Sequence, residues 1–318
     1  MLTIFPVKNA DYYTEWTQTD YYLNNDELPG LWNGYIAHLL GIGHCEVIEE
    51  DYKNLMGGFS PDGSLSLVKN AGQVRNLGYD LTFSAPKSVS ILDAYDEHGI
   101  IYDAHYKAVK EALRFLEDKA AYTRRGEQGK TLEKLPGLLS AIFTHFKSRA
   151  EDMQLHSHCL VLNLAIRNDL TWGTINGRVL YQWMKAAGVI YRAELAQNLR
   201  ELGYSIEKDG ESFNVVGVPK EICQHFSKRE EQITKALKSY GVKSSASPIG
   251  NHLKLYSRPK KTKIKETKLY EQWQTELTAL GFDYNVASSL RSMQPTYAYH
   301  CSDIDIALNK LTPAFFKV

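Results

Sequence analysis

The spacing of hydrophobic positions in this chain changes several times, and each change predicts a different element. Residues 2–7 (LTIFPV) are a short apolar run that reads as a strand. A second run, Tyr79–Ser84, also reads as a strand, and Ser84-Ala-Pro-Lys then opens a helix with Pro86 suited to its first turn. Val109, Ala112, Leu113, Leu116 and Ala120 recur at helical spacing, which predicts an amphipathic helix over 103–122. Leu138–Phe146 and Gln154–Ile166 are rich in Leu, Ile, Val and Phe and flank the polar stretch KSRAEDM. They read as two antiparallel strands joined by a medium loop. Another helix is predicted over roughly 180–202, stopped at Gly203. A strand pair follows around 204–217, with Asp209-Gly210 as its turn. Residues 23–75, rich in Gly, Asn and Asp, give no clear assignment.

From about residue 220 the pattern becomes helical and charged, and Leu269, Trp273, Leu277 and Leu280 form a helical stripe ending at Gly281. The expected fold class is therefore α+β: a core over 1–220 and a helical, basic subdomain over 221–318. The core would hold a central antiparallel sheet of about five strands with helices packed on one side. No internal repeat is evident.

Composition narrows the picture only a little. At 318 residues and 43% hydrophobic the chain is an ordinary globular length. No run of 18 apolar residues occurs, so no membrane insertion is expected. The start, MLTIFPVKNADYY, lacks the pattern of a secretory signal. Cys45, Cys159, Cys223 and Cys301 are scattered, as expected for reduced thiols of a cytoplasmic protein. Basic and acidic residues balance at 37 each, so net charge gives no vote for a nucleic-acid partner. Local clustering does: Lys254–Lys268 holds seven basic residues and one acid, Glu266. Arg258, Lys260, Lys261, Lys263 and Lys265 are its candidate phosphate contacts, although basic stretches are more often solvated loops.

Two patterns carry chemistry. His156 and His158 are two apart in QLHSHCLVLN, so on a strand both imidazoles project from one face. If the two predicted strands pair across a loop centred near residue 150, His145 falls almost opposite His156. Cross-strand neighbours lie about 5 Å apart, so three imidazoles can converge on one ion and leave positions open. An H-x-H pair alone is a common accident; the third histidine makes it a candidate ligand set. The second pattern is Tyr12-Tyr13 and Tyr21-Tyr22, two pairs in one short segment of a chain with 20 tyrosines. Roughly one such dipeptide is expected by chance in the whole chain. The plain reading is packing residues. The chemical reading is a phenol nucleophile, which needs a base or cation beside it because its pKa is about 10.

These segments resemble the MobF-type conjugative relaxases of the HUH superfamily. GYDLTFSAPKSVS (78–90) is similar to that family's strand–helix signature, THFKSRAEDMQLHSHCLV (144–161) has its spacing of metal histidines, and DYYTEWTQTDYY (11–22) is similar to its paired-tyrosine segment. HFSKREEQI (225–233) and SRPKKTKIKETKLYEQW (257–273) resemble its carboxy-terminal subdomain. The resemblance implies His145, His156 and His158 as ligands of a divalent metal, Mg or Mn with Zn, Ni or Co as alternatives. It implies Tyr12 as the initial nucleophile and Tyr21 for a second strand transfer, with Tyr13 and Tyr22 as their neighbours. Asp80 would hydrogen-bond a ligand histidine and help take the tyrosine proton. Implied partners are single-stranded plasmid DNA at a transfer origin, with a hairpin, together with accessory relaxosome proteins and a type IV secretion coupling protein. The reaction would be strand-specific nicking through a 5′-phosphotyrosyl intermediate, followed by rejoining. Family members usually continue into a helicase, and no G-x-x-x-x-G-K-[ST] loop is present in this sequence. Three other readings stay open at this point: a rolling-circle replication initiator, a metal-dependent phosphodiesterase using activated water, and a DNA-hairpin-binding module with a structural metal.

Overall fold

A computed structural model describes residues 2–7, 28–242, 247, 249, 250, 253 and 266–291. The tyrosine segment Tyr12, Tyr13, Tyr21 and Tyr22 lies outside the described residues, as do Arg258, Lys260, Lys261, Lys263 and Lys265.

Five antiparallel strands make the central sheet: β1 (Leu2–Val7), β2 (Leu31–Asn33), β3 (Gly78–Ser84), β6 (Ser140–Lys147) and β7 (Met153–Leu162), in the order β1-β3-β7-β6-β2. Between β3 and β6 the chain forms helices α3 (Lys87–Asp93) and α4 (Ile100–Ala120) and a small ribbon, β4 (Tyr122–Arg125) with β5 (Thr131–Lys134). Beyond β7 come the ribbon β8 (Ala165–Ile166) with β9 (Trp172–Gly173), helix α5 (Gly177–Glu201), and the hairpin β10 (Ile206–Asp209) with β11 (Ser212–Val215). Helices α6 (Lys220–His225), α7 (Lys228–Ser239), α8 (Glu266–Ala279) and α9 (Tyr284–Ser289) follow. The unassigned stretch 23–75 contains β2 and two helices, α1 (Tyr35–Leu39) and α2 (Glu49–Gly57).

Alternation along the strands sends side chains to two different cores. Leu81, Phe83, Ile142, Leu155, Cys159 and Val161 face α3, α4 and α5 and join one buried cluster. Ala141, Phe143, Leu160 and Leu162 face the other way, against Trp32, Ile36, Tyr52 and Leu55. Helices therefore do not pack on one side only: the long ones cover one face, and α1 and α2 cover part of the other. Sequence periodicity misses α1 and α2 because they are only 5 and 9 residues long and sit among Gly-rich turns. The helices after residue 220 are not insulated from this packing, since Ile222, Phe226, Leu269, Trp273, Leu277 and Phe282 belong to the first cluster.

Several local expectations shift. Pro86 is the N-cap of α3 instead of its first helical residue, because its carbonyl accepts from Val89 and Ser90 while its own ψ of 152° is extended. The strand expected to run to Ile166 ends at Leu162. There Asn163 turns the chain, its side chain accepting from Ile175 N–H at 3.0 Å and donating to Asn76 O at 2.8 Å. Asp209 pairs with Ser212, so the hairpin turn is Gly210-Glu211, one residue later than expected, with Gly210 at φ +57°. Leu280 lies past the end of α8 and is exposed, and Phe282 takes the buried place.

Candidate functional site

The site lies on the face of the sheet covered by α1 and α2, where β3, β7 and β6 run side by side. His145 pairs directly with His156, and Thr82 with His158. The three histidine rings form a nearly equilateral triangle with centres 5.2, 5.5 and 5.6 Å apart. An ion about 2.1 Å from each Nε2 would sit about 3.2 Å from each ring centre, which at tetrahedral angles separates the centres by about 5.2 Å. The ring spacing thus fits one shared ion. Among the described residues no three donor side chains already converge as a finished coordination set. Rotation about χ2 swings each ring nitrogen much farther than it moves the ring centre, so the triangle of rings can close on an ion without moving the strands.

Two of the rings are also held in the tautomer that a ligand needs. His158 Nδ1 lies 2.9 and 3.0 Å from the two Asp80 oxygens and 3.3 Å from Thr82 Oγ1. His156 Nδ1 lies 2.8 Å from the carbonyl oxygen of Gln154. With Nδ1–H donated in each case, both Nε2 lone pairs are available to an ion. Burial holds the His156 imidazole well below the usual histidine range, with repulsion from His158 and His145 adding to it, so this ring is neutral. Asp80 reaches His158 diagonally across the strands, since its direct partner is Leu160.

The Gln154 carbonyl is free to turn toward His156 because of a bulge. His145 pairs with His156 but Lys147 pairs with Met153, so Gln154 and Leu155 together stand opposite Phe146. The segment 78–90 braces that bulge. Ala85 N–H donates to Leu155 O at 3.0 Å, Leu155 N–H donates to Ser90 Oγ at 3.0 Å, and Gln154 Nε2 donates to Ala85 O at 3.2 Å. Lys87 Nζ donates to Met153 O at 2.6 Å. The buried Lys87 ammonium is pushed down to about 8 by desolvation, with neighbouring Asp152 opposing the shift. The density of polar residues in GYDLTFSAPKSVS therefore has a physical reason: Asp80 and Thr82 address His158, while Lys87 and Ser90 hold the edge from which His156 is aimed.

Sequence reasoning brought out His145, His156, His158 and Asp80, and all four meet here. Thr82 was missed, although it stands two residues from Asp80 and shares its face. Tyr52 was also missed: it is 2% exposed, its ring lies 6.1 Å from that of Phe143, and burial together with the charge of Asp80 raises its phenol far above the usual range. Nothing in the local pattern of α2 announces that placement. Trp183 packs edge-on against Phe115, ring centres 5.7 Å apart, as a core aromatic does.

A five-stranded antiparallel sheet with three imidazoles clustered on two inner strands defines the protein as a relaxase-type α+β domain. The family model for TrwC relaxases matches residues 7–280, and the chain belongs to that family. It is 33% identical over 301 residues to the multifunctional conjugation protein TraI of Escherichia coli, and 31% identical to that of strain K12. Each alignment covers 89% of this chain but 16% of the relative, so the chain spans about one sixth of the TraI length. Among solved structures, the conjugative relaxase TrwC in complex with oriT DNA, metal-bound, has a TM-score of 0.80 at 30% identity, covering 89% of this chain and 100% of that one. TrwC with a 27-mer DNA comprising the recognition hairpin and the cleavage site superposes with a TM-score of 0.78 at 29% identity, with the same coverage.

Proposed function

We propose that this chain nicks one DNA strand at a plasmid transfer origin and keeps the 5′ end as a phosphotyrosyl ester. The observation that carries the proposal is the meeting of His145, His156 and His158, with Asp80 2.9 Å from His158 Nδ1, in a chain of the relaxase family. Bound there, a divalent ion would polarise the scissile phosphate and offset the negative charge that builds up on it. His145, His156 and His158 hold the site, and Asp80 fixes the orientation of His158. Tyr12 supplies the nucleophile: its oxygen bonds to phosphorus, the P–O3′ bond breaks, and the leaving oxygen takes up a proton to become the 3′-hydroxyl. Asp80, the one carboxylate among these four residues, would accept the tyrosine proton. The ester conserves the phosphodiester bond energy, so a 3′-hydroxyl can reverse the step, and Tyr21 offers a second acceptor. Tyr13 and Tyr22 serve as the neighbouring member of each pair.

Single-stranded DNA with a hairpin is the proposed substrate, since the relatives with solved structures are bound to oriT DNA. Arg258, Lys260, Lys261, Lys263 and Lys265 would contact its phosphates from a subdomain over 221–318 that would fold over DNA held on the core over 1–220. Relaxosome proteins and a secretion coupling protein are further proposed partners in a cytoplasmic setting. No helix among the described residues is long and apolar enough to cross a membrane.

The test is a denaturing gel of end-labelled single-stranded transfer-origin DNA incubated with protein, with and without Mn2+. A detergent-resistant protein–DNA band is expected, and it should vanish in Tyr12→Phe and in His156→Ala. Cleavage without that band would shift the assignment to a water-activating phosphodiesterase. Binding without any cleavage would leave a DNA-binding module.

A further inference from the structure

Directly behind the histidine cluster, on the opposite face of β6 and β7, four polar side chains form one chain of hydrogen bonds inside the apolar core. Tyr191 Oη lies 2.8 Å from His105 Nδ1, His105 Nε2 lies 2.8 Å from Ser157 Oγ, and Ser157 Oγ lies 2.7 Å from Thr144 Oγ1. Tyr191, His105 and Ser157 expose no surface and Thr144 exposes 5%. Burial pushes the His105 imidazole down to about 3, so the ring is neutral, with one donor and one acceptor nitrogen, and completes the chain in either direction. None of the four side chains faces the histidine side of the sheet. A well-packed apolar quartet would serve stability equally well, so stability alone does not account for the network.

Its position does. Ser157 stands between His156 and His158, Thr144 precedes His145, and Thr144 with Ser157 is the cross-strand pair next to His145 with His156. The bulge lies between that pair and the loop 148–152, so the loop geometry does not by itself dictate the register at the histidines. The apolar pattern does not dictate it either. A one-residue slip would turn β6 inside out, but a two-residue slip returns every side chain to its own face. After such a slip Thr144 would stand opposite Leu155 or Cys159, and His145 opposite Gln154 or His158. The buried hydroxyls and imidazole would lose their partners, a penalty that apolar residues in the same places would not carry.

We propose that Tyr191, His105, Ser157 and Thr144 form a register lock, in which these positioning residues keep His145 opposite His156 by disfavouring the two-residue slip. The inference rests on the three-histidine reading of the site. It is tested on the full chain with Thr144→Val, with Thr144→Ser, and with an apolar quadruple variant (Thr144→Val, Ser157→Ala, His105→Leu, Tyr191→Phe). Cu2+ binding is followed by calorimetry and by the nitrogen splitting in its EPR spectrum, and strand register by nuclear Overhauser contacts between Phe143 and His158 without metal. Thr144→Val and the quadruple variant should stay folded near the wild-type melting temperature, bind Cu2+ about tenfold more weakly, and show a second set of interstrand contacts. Thr144→Ser should restore wild-type behaviour. Wild-type affinity, spectrum and a single register in both apolar variants would overturn the lock. If the quadruple variant does not fold, the Thr144→Val and Thr144→Ser pair decides by the same criteria. A wild-type spectrum without three imidazole nitrogens would instead remove the metal reading, and the metal-free contacts would still decide the register.

Discussion

Asp80 does two things for His158 at a separation of 2.9 Å: it accepts the hydrogen bond from Nδ1–H, and it places a negative charge behind an imidazole proposed to hold the metal. Asp80→Asn keeps an acceptor oxygen and loses the charge, whereas Asp80→Ala loses both. Mn2+ affinity measured by calorimetry should therefore fall about tenfold in the first and closer to a hundredfold in the second. Equal affinities for the two variants and the wild type would remove Asp80 from the site. A different residue governs pH dependence of stability. Burial, followed by the charge of Asp96, pushes the Asp93 carboxyl up to about 8. The folded state then binds this proton more tightly than the unfolded chain does. Its contribution to stability is complete below about pH 4 and is lost as the pH rises through about 8. Asp93→Asn removes the ionisation, so its melting temperature should exceed wild type at pH 8, by an amount on the order of a few kcal/mol in free energy. The advantage should disappear near pH 4.

Among the elements, α5 sits close to the sheet because glycines let it. A Cβ added at Gly177 would meet Tyr79 Oη at 1.9 Å and its ring at 2.0 Å, which forces an aromatic side chain or the helix start to move. One at Gly188 would meet Leu2 Cβ at 3.2 Å and otherwise only ordinary contacts, Arg192 Nη1 at 3.7 Å and Leu2 N at 3.9 Å. Alanine gains up to about 1 kcal/mol over glycine in a helix interior, while overpacking costs about 1–3 kcal/mol. Gly177→Ala should thus lower the thermal midpoint by several degrees, and Gly188→Ala should change it little. The reverse ranking in a thermal melt would mean that the approach of α5 to β3 is not set by Gly177.

For the molecule as a whole, the decisive feature is that the helices after residue 220 share a core with the sheet. Trp273 on α8 is 4% exposed and donates from Nε1 to Glu151 O at 2.8 Å, which ties α8 to the loop between β6 and β7. Tyr95 donates likewise to Phe282 O at 2.8 Å. Trp273→Ala should destabilise the protein by about 3–5 kcal/mol. Unfolding followed by far-ultraviolet circular dichroism and by tryptophan fluorescence should remain one coincident transition. Two separated transitions would mean that residues beyond 220 unfold as a unit of their own.

Period and local spacing account for the elements that are legible along the chain. The apolar runs on either side of 147–153 specified two paired strands, and a loop centred near residue 150 pointed to His145 opposite His156, the pairing observed, although the loop alone does not hold that register. The helical stripe from Val109 to Ala120 specified α4 in the same way. Tertiary structure decided what depends on which segments become neighbours. The bracing of the bulge at Gln154 and Leu155 by Lys87 and Ser90, the burial of Tyr52 beside Asp80, and the hydrogen-bond chain through His105 all join residues tens of positions apart. A periodicity is a property of one segment and survives any change of neighbours. A hydrogen bond made by a buried side chain exists only once two distant segments exclude water from the space between them, and no local pattern encodes that event.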